Sequence, residues 1–64
     1  MYVNGEQYPH RDGLTLHALL AELDVKHGAV VVMHDEKLYR AGKIPDVPVA
    51  ALDVIEIVTM MQGG

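Results

Sequence analysis

The sequence contains no cysteine, tryptophan or phenylalanine, and its aromatic residues are three tyrosines. Without cysteine, the chain can form no disulfide and offers no thiol as a nucleophile or zinc ligand. Without phenylalanine and tryptophan, the core must be built from valine, leucine, isoleucine and methionine. A chain without cysteine also fits a reducing compartment, and we expect a cytoplasmic protein.

Sixty-four residues make one small domain, residues 1–64. A domain of this size buries only about 60% of its unfolded surface, so there is little room for a deep catalytic pocket. The size therefore favours a carrier, a modifier or a binding module over a self-sufficient enzyme.

Basic residues are few: five lysines and arginines stand against nine aspartates and glutamates, for a net charge of −4. Nucleic-acid binding requires clustered basic residues, so we expect no nucleic-acid partner. No apolar stretch is long enough to span a bilayer, and residues 1–4 lack the basic start and apolar run of a signal peptide. We therefore expect no membrane association.

The first half of the chain predicts a hairpin followed by a helix. Asn4-Gly5 is typical of a type I′ turn, here between strands at residues 1–3 and 6–8. An apolar stripe at helical spacing then predicts about three helical turns; its members are Leu16, Leu19, Leu20 and Leu23. Thr15 is the expected N-cap and Gly28 the expected end of the helical region.

The second half predicts further strands. Residues 29–33 form a β-branched run that indicates a strand buried on both faces. A polar turn at 34–37 precedes a brief edge strand at 38–39. The stretch 41–48 contains Gly and Pro and should be irregular, and residues 49–52 could form one helical turn.

The last strand, residues 54–60, alternates between two faces. Ile55, Ile57 and Thr59 share the face expected to meet the helix, and Val54, Glu56, Val58 and Met60 share the other. The second face is also mostly apolar, which favours a docking surface. Cover by Tyr2 or packing between two copies remains open. Glu56 either pairs with a partner arginine or is a solvated charge that discourages aggregation.

This order of elements predicts an α+β fold: a mixed four- to five-stranded sheet with one helix packed across one face. That architecture is the ubiquitin-like β-grasp.

The C-terminal residues suggest chemistry at the main-chain carboxylate. Met61, Gln62, Gly63 and Gly64 should form a flexible tail at about residues 61–64, and glycines can lie extended in a narrow channel. The Gly64 carboxylate could attack the α-phosphate of ATP, and a thiol or persulfide could then displace AMP. A frayed end is the alternative. No charged residue follows Glu56, so catalytic groups would have to belong to a partner.

The four histidines do not predict a metal site. His10, His17, His27 and His34 are scattered, and none forms an i, i+4 pair. We expect no bound metal. For Met60-Met61, apolar filling or partner contact is favoured over a soft-metal site.

Several of these segments together resemble the ThiS family of sulfur carriers in thiamine biosynthesis. The resemblance spans nearly the whole chain and rests on Val3–Glu6, Leu14–Leu16 with the leucine stripe, Asp53–Val58 and Gly63-Gly64. The chain departs from the family at Leu52, where glycine is frequent, and at His34-Asp35, where Asn-Gly is common. Residues 38–50 match least, and no role is carried over to them.

The resemblance implies a cycle with three partners. An E1-like adenylating enzyme (ThiF-like) would activate Gly64 with Mg-ATP, so the chain itself would bind no cofactor. A cysteine desulfurase or other persulfide donor would supply the sulfur, and a thiazole synthase (ThiG-like) would accept it. Val58 and Met60 would contact these partners, and Met61 and Gln62 would enter their active sites. The small subunit of molybdopterin synthase, a ubiquitin-like modifier and a plain interaction module remain alternatives.

Overall fold

Five strands and one helix follow one another in the predicted order. The computed structural model describes residues 1–26 and 28–59. The elements are β1 (Tyr2–Val3), β2 (Glu6–Gln7), α1 (Leu16–Glu22), β3 (Val30–His34), β4 (Lys37–Tyr39) and β5 (Val54–Thr59). The predictions for His27 and for Met60, Met61, Gln62, Gly63 and Gly64 lie outside the described residues.

The strands form one mixed sheet in the order β2-β1-β5-β3-β4. β5 is central, parallel to β1 on one side and antiparallel to β3 on the other, and β2 and β4 pair antiparallel at the two edges. A final strand inserted beside the first, with one helix on the sheet, is the β-grasp arrangement, so the predicted fold class is confirmed.

The core lies between α1 and one face of the sheet. Leu16, Leu19 and Leu20 of the helix are almost fully buried, together with Val3, Val32 and Ile55 of the sheet. Each such side chain contributes about 1.5–3 kcal/mol through burial. The leucine stripe therefore packs against the sheet as its spacing predicted, with Leu23 only partly buried at its end.

The helix is shorter than predicted. Its N-cap is Thr15, whose Oγ1 accepts a hydrogen bond from Ala18 N–H at 3.3 Å. It ends after seven residues, about two turns, because Asp24 takes a left-handed φ of 57°. The prediction of three turns ending at Gly28 was wrong. The described residues contain no helix with the length and apolar character needed to cross a membrane.

β3 is buried on one face only, which corrects the sequence prediction. Val30 and Val32 point into the core, whereas the side chain of Met33 is 41% exposed. The strand also extends to His34, so the turn into β4 is Asp35-Glu36 rather than 34–37. The reason is that α1 covers one side of the sheet and no described element covers the other.

The segment between β4 and β5 is irregular as predicted at 41–48, and the predicted helical turn at 49–52 is reduced to a single hydrogen-bonded turn at 51–52, with Asp53 N–H bonded to Ala50 O at 3.2 Å. Residues 47–49 run antiparallel beside the start of α1, with Leu16 N–H bonded to Val47 O at 2.9 Å and Val49 N–H to Leu14 O at 2.8 Å. These bonds extend the chain locally and direct Val49 into the core.

The Asn4-Gly5 turn has positive φ at both residues, 54° and 82°, as a type I′ turn requires. Asn4 also extends the pairing of β1 with β5. Its N–H donates to Ile55 O at 2.9 Å, and its side-chain Oδ1 accepts from Ile57 N–H at 2.7 Å. Because β1 is only two residues long, the Asn4 side chain thus supplies the next hydrogen bond of its ladder with β5.

We predict that Asn4→Gly lowers the free energy of unfolding by about 1 kcal/mol, the typical net value of one hydrogen bond. Glycine keeps the positive φ, so the variant removes the bond to Ile57 N–H without straining the turn, and the extra freedom of glycine in the unfolded chain adds to the loss. Asn4→Asp, which retains an oxygen acceptor and tolerates this φ, is the matched control and should stay closer to the unsubstituted protein. Urea unfolding measures both, and equal stabilities for the glycine and aspartate variants would contradict the prediction.

Candidate functional site

The sheet face opposite α1 presents alternate residues of β5 to solvent. Val54 and Val58 are 46% and 57% exposed, and Glu56 lies exposed between them. Ile55, by contrast, is completely buried on the helix side, and Ile57 is partly buried there. The two-faced alternation predicted for this strand is therefore confirmed over the described residues 54–59.

Strand register places further apolar side chains on the same face. Met33 pairs with Glu56, and Val31 pairs with Val58. Tyr2 pairs with Val54 across the parallel ladder, and Leu38 pairs with Met33. Residues directly opposite each other share a face of the sheet. We call this surface the docking face; it consists of Tyr2, Val31, Met33, Leu38, Val54, Glu56 and Val58.

The docking face is an apolar surface with one carboxylate near its middle. Tyr2 lies on it, but its side chain is 49% exposed and does not cover the neighbouring valines. Contiguous exposed apolar surface of this kind typically marks a site of protein contact. Sequence reasoning missed Met33 because it assumed that β3 is buried on both faces. The available signal was that successive residues of a strand face opposite sides of the sheet and that one helix can cover only one side.

The part of the docking face that lies on β5 is directly followed in sequence by the predicted tail. Thr59 is the last residue of β5 and the last that the structure describes. The five residues from Met60 to Gly64 follow it directly. Five extended residues span at most about 17 Å. A partner seated on the docking face would therefore lie within reach of Gly64.

The described histidines are separate and perform separate structural tasks. His10 Nε2 lies 2.6 Å from Val49 O, and His17 Nε2 lies 2.6 Å from Ile44 O. Both rings thereby hold the irregular segment between β4 and β5 against the rest of the fold. The expectation that the histidines do not converge on one site agrees with this placement of His10, His17 and His34.

His34 does, however, come together with two carboxylates that the sequence did not connect with it. Its Nε2 lies 2.6 Å from Asp53 Oδ2 and 3.9 Å from Asp35 Oδ2. Asp53 Oδ2 also accepts from Ala50 N–H at 2.8 Å, and Asp35 Oδ1 accepts from Val54 N–H at 2.9 Å. These three side chains, the His34 clasp, tie the β3–β4 turn to the start of β5.

The three ligand-type atoms of the His34 clasp lie within 4.8 Å of one another, a spacing that a metal ion could also use. Both carboxylates already accept backbone hydrogen bonds, and Asp53 is bonded to the imidazole as well. The hydrogen bonds that these three side chains already make therefore account for the group as a structural clasp. It lies at the beginning of β5, at the opposite end of the strand from the tail.

Within the His34 clasp, the pKa of the Asp53 carboxyl is shifted. Partial burial raises the pKa of its carboxyl, but hydrogen bonds from Ala50 N–H and from His34 outweigh this effect, so the pKa lies below its usual value. A carboxyl with a depressed pKa stabilises the fold above its unfolded-state pKa of about 3.9, and this contribution is lost as the pH falls through the folded-state value.

Two comparisons with known proteins agree with one another. The family model described as "ThiS family" matches residues 1–64. The chain is also similar to the sulfur carrier protein ThiS of Thermus thermophilus. The two are 38% identical over 64 residues, which cover all of this chain and 98% of that protein.

We predict that Asp53→Asn lowers the free energy of unfolding by about 1–2 kcal/mol near pH 7, because the hydrogen bond from His34 loses its charged acceptor. The difference from the unsubstituted protein should shrink as the pH falls from the unfolded-state pKa of about 3.9 through the lower folded-state value, where Asp53 itself becomes protonated. Asp12→Asn removes the same charge from an exposed loop and should change stability by less than about 0.5 kcal/mol. Urea unfolding over this pH range is the measurement, and a constant difference at all pH values would contradict it.

Proposed function

The chain belongs to the ThiS family, and we propose that it carries sulfur on the carboxyl group of Gly64 for assembly of the thiazole ring of thiamine. The observation that carries this proposal is that β5 supplies the middle of the docking face and that the sequence from Met60 to Gly64 directly follows its last residue, Thr59. The surface that an enzyme would hold is thus only a few residues away in sequence from the group that it would modify.

The proposed chemistry has two stages. The Gly64 carboxylate attacks the α-phosphate of ATP, pyrophosphate leaves, and an acyl-adenylate forms. A persulfide then attacks the acyl carbon and AMP leaves, and a thiol cleaves the resulting S–S bond so that a thiocarboxylate remains. That thiocarboxylate donates its sulfur to the thiazole precursor. Mg-ATP would be bound by the partner, and the sulfur comes from a donor protein because this chain has no cysteine.

In this proposal the chain is a co-substrate rather than an enzyme. Its last charged residue is Glu56, eight positions before Gly64, and Glu56 lies on the docking face. The sequence after Glu56 therefore offers the carboxyl group no acidic or basic side chain. An E1-like adenylating enzyme would supply the catalytic groups, and the carrier would supply binding energy and reach.

The docking face suits a protein that visits several enzymes in turn. Seven residues make a small contact surface, and small interfaces are typical of transient complexes. The apolar side chains would provide affinity to an adenylating enzyme and to a thiazole synthase alike. Glu56, near the middle of the face, would pair with an arginine or lysine of the partner and orient the carrier.

Changes at the tail test the chemistry. We predict that deletion of Gly64 abolishes adenylation because the activated carboxylate moves out of reach of the partner's active site. Gly63→Val should reduce it strongly by adding bulk in a narrow channel, whereas Gln62→Ala should have a smaller effect. All three should melt like the unsubstituted chain, since the core cluster of the described residues is supplied by residues 1–57. The measurement is ATP–pyrophosphate exchange with the adenylating enzyme.

The mass of the intact protein separates the proposed function from its alternatives. After incubation with adenylating enzyme, ATP and a persulfide donor, the expected product has one oxygen replaced by sulfur. An adduct on a lysine of another protein would indicate a modifier, and no ATP-dependent change would indicate a plain interaction module. Transfer of the sulfur to the large subunit of molybdopterin synthase but not to thiazole synthase would assign the other pathway.

A charged substitution on the docking face tests whether this face contacts the adenylating enzyme. We predict that Val58→Glu weakens binding to the adenylating enzyme by about tenfold or more, because it places a carboxylate in a desolvated contact. Ala21→Glu puts the same charge on the exposed surface of α1 and is the matched control. Isothermal titration calorimetry measures both affinities. Equal affinities of the two variants would show that the docking face is not the contact surface.

A further inference from the structure

β5 has partners along its whole described length on one side but not on the other. On the β3 side, pairing runs from Ile55 to Thr59. On the β1 side, the ladder pairs only Tyr2 with Val54 and Val3 with Ile55, and the Asn4 side chain adds one bond to Ile57 N–H. Beyond that bond, the described part of the chain places no strand beside β5.

The direction of the unpaired groups follows from strand alternation. Because Ile57 N–H faces the β1 side, Ile57 C=O and Thr59 N–H face the same way, whereas Val58 N–H faces β3. We call Ile57 C=O and Thr59 N–H the open edge. An extended residue placed beside Val58 could donate its N–H to Ile57 C=O and accept a hydrogen bond from Thr59 N–H at its own C=O. This is the bonding pattern of a parallel pair.

A groove of about 480 Å³ adjoins the open edge on the helix side of the sheet. Leu23, Val25 and Ile57 line it and are only partly buried against the core. Glu6 is the charged residue among those that line it. An added strand would direct the side chain beside Thr59 into this groove, so an aliphatic residue would suit that position. A basic residue would suit the neighbourhood of Glu6.

We propose that the adenylating enzyme adds an extended segment to the open edge, parallel to β1, with an aliphatic side chain in the groove and a basic side chain near Glu6. This rests on the proposed function and specifies how the partner holds the strand that leads to Gly64. Backbone pairing at Thr59 would fix the direction in which the tail leaves the sheet, close to the active site that it must enter.

Two other occupants fit the open edge less well. A return strand formed by the chain's own C-terminal residues would run antiparallel to β5. Two copies that paired their β5 edges about a twofold axis would also be antiparallel. An antiparallel rung opposite Ile57 needs both its N–H and its C=O, and this N–H already donates to Asn4 Oδ1 at 2.7 Å, so among the described residues an antiparallel strand could form a complete rung only opposite Thr59. A parallel segment uses Ile57 C=O and Thr59 N–H together, which have no partner among the described residues, and leaves the Asn4 bond intact.

Amide hydrogen exchange of the full chain, labelled with ¹⁵N and measured with and without the adenylating enzyme, tests the proposal. The Thr59 amide should exchange rapidly in the free protein and at least about tenfold more slowly in the complex. The Val58 amide, which faces β3, is the internal control and should be protected in both states. A Thr59 amide that is already protected in the free chain, or that stays unprotected in the complex, would overturn the proposal.

A pair of variants provides a second measurement. Thr59→Pro removes only the N–H that faces the open edge, so it leaves the pairing with β3 intact. It should weaken enzyme binding by about three- to tenfold, the effect of one lost hydrogen bond, whereas Thr59→Ala should bind like the unsubstituted chain. Equal binding of the two variants would count against strand addition.

The mass of the product keeps the two proposals apart. If the thiocarboxylate forms while the Thr59 amide stays unprotected in the complex, strand addition is wrong and the sulfur-carrier function stands. If Thr59 becomes protected but no thiocarboxylate forms, the enzyme pairs with the open edge and the proposed chemistry fails.

Discussion

A single short helix can keep only one face of this sheet dry, and the rest of the structure depends on that constraint. α1 has seven residues, and its three buried leucines close the core against β1, β3 and β5. The opposite face receives no cover from the described residues, yet its strands carry apolar side chains there too. The described part of the chain therefore leaves an apolar face of the sheet exposed as a direct result of its size, and this is the face that we propose partners bind.

β5 connects this surface with the rest of the protein. It is the central strand, held by β1 and β3, and its first residues are anchored by the His34 clasp through bonds to Ala50 and Val54. Its outward side chains form the middle of the docking face, and its end leads to the tail. In the proposed function, a partner that binds this strand would also position the segment that follows it.

The shortness of β1 has a second consequence. Because β1 ends at Val3, the Asn4 side chain takes over one backbone bond to β5, and the strand beyond Ile57 keeps an open edge beside an apolar groove. Exposed strand edges are usually protected against unwanted pairing. Here the open edge is short, and Glu6 also lines the groove beside it, so we expect it to favour short segments that carry a basic residue.

Local patterns in the sequence by themselves determined the hairpin turn at Asn4-Gly5, the leucine stripe of α1 and the two faces of β5. Each of these depends on residues close together in the chain, where spacing alone dictates direction. Helix length was misjudged because Asp24, rather than Gly28, took the left-handed conformation. Only the tertiary structure decided that Met33 lies beside Glu56, that Leu38 lies beside Met33, and that His34 meets Asp53. The contacts with Glu56 and Asp53 join segments far apart in sequence, and strand register, which no local pattern encodes, brings them together.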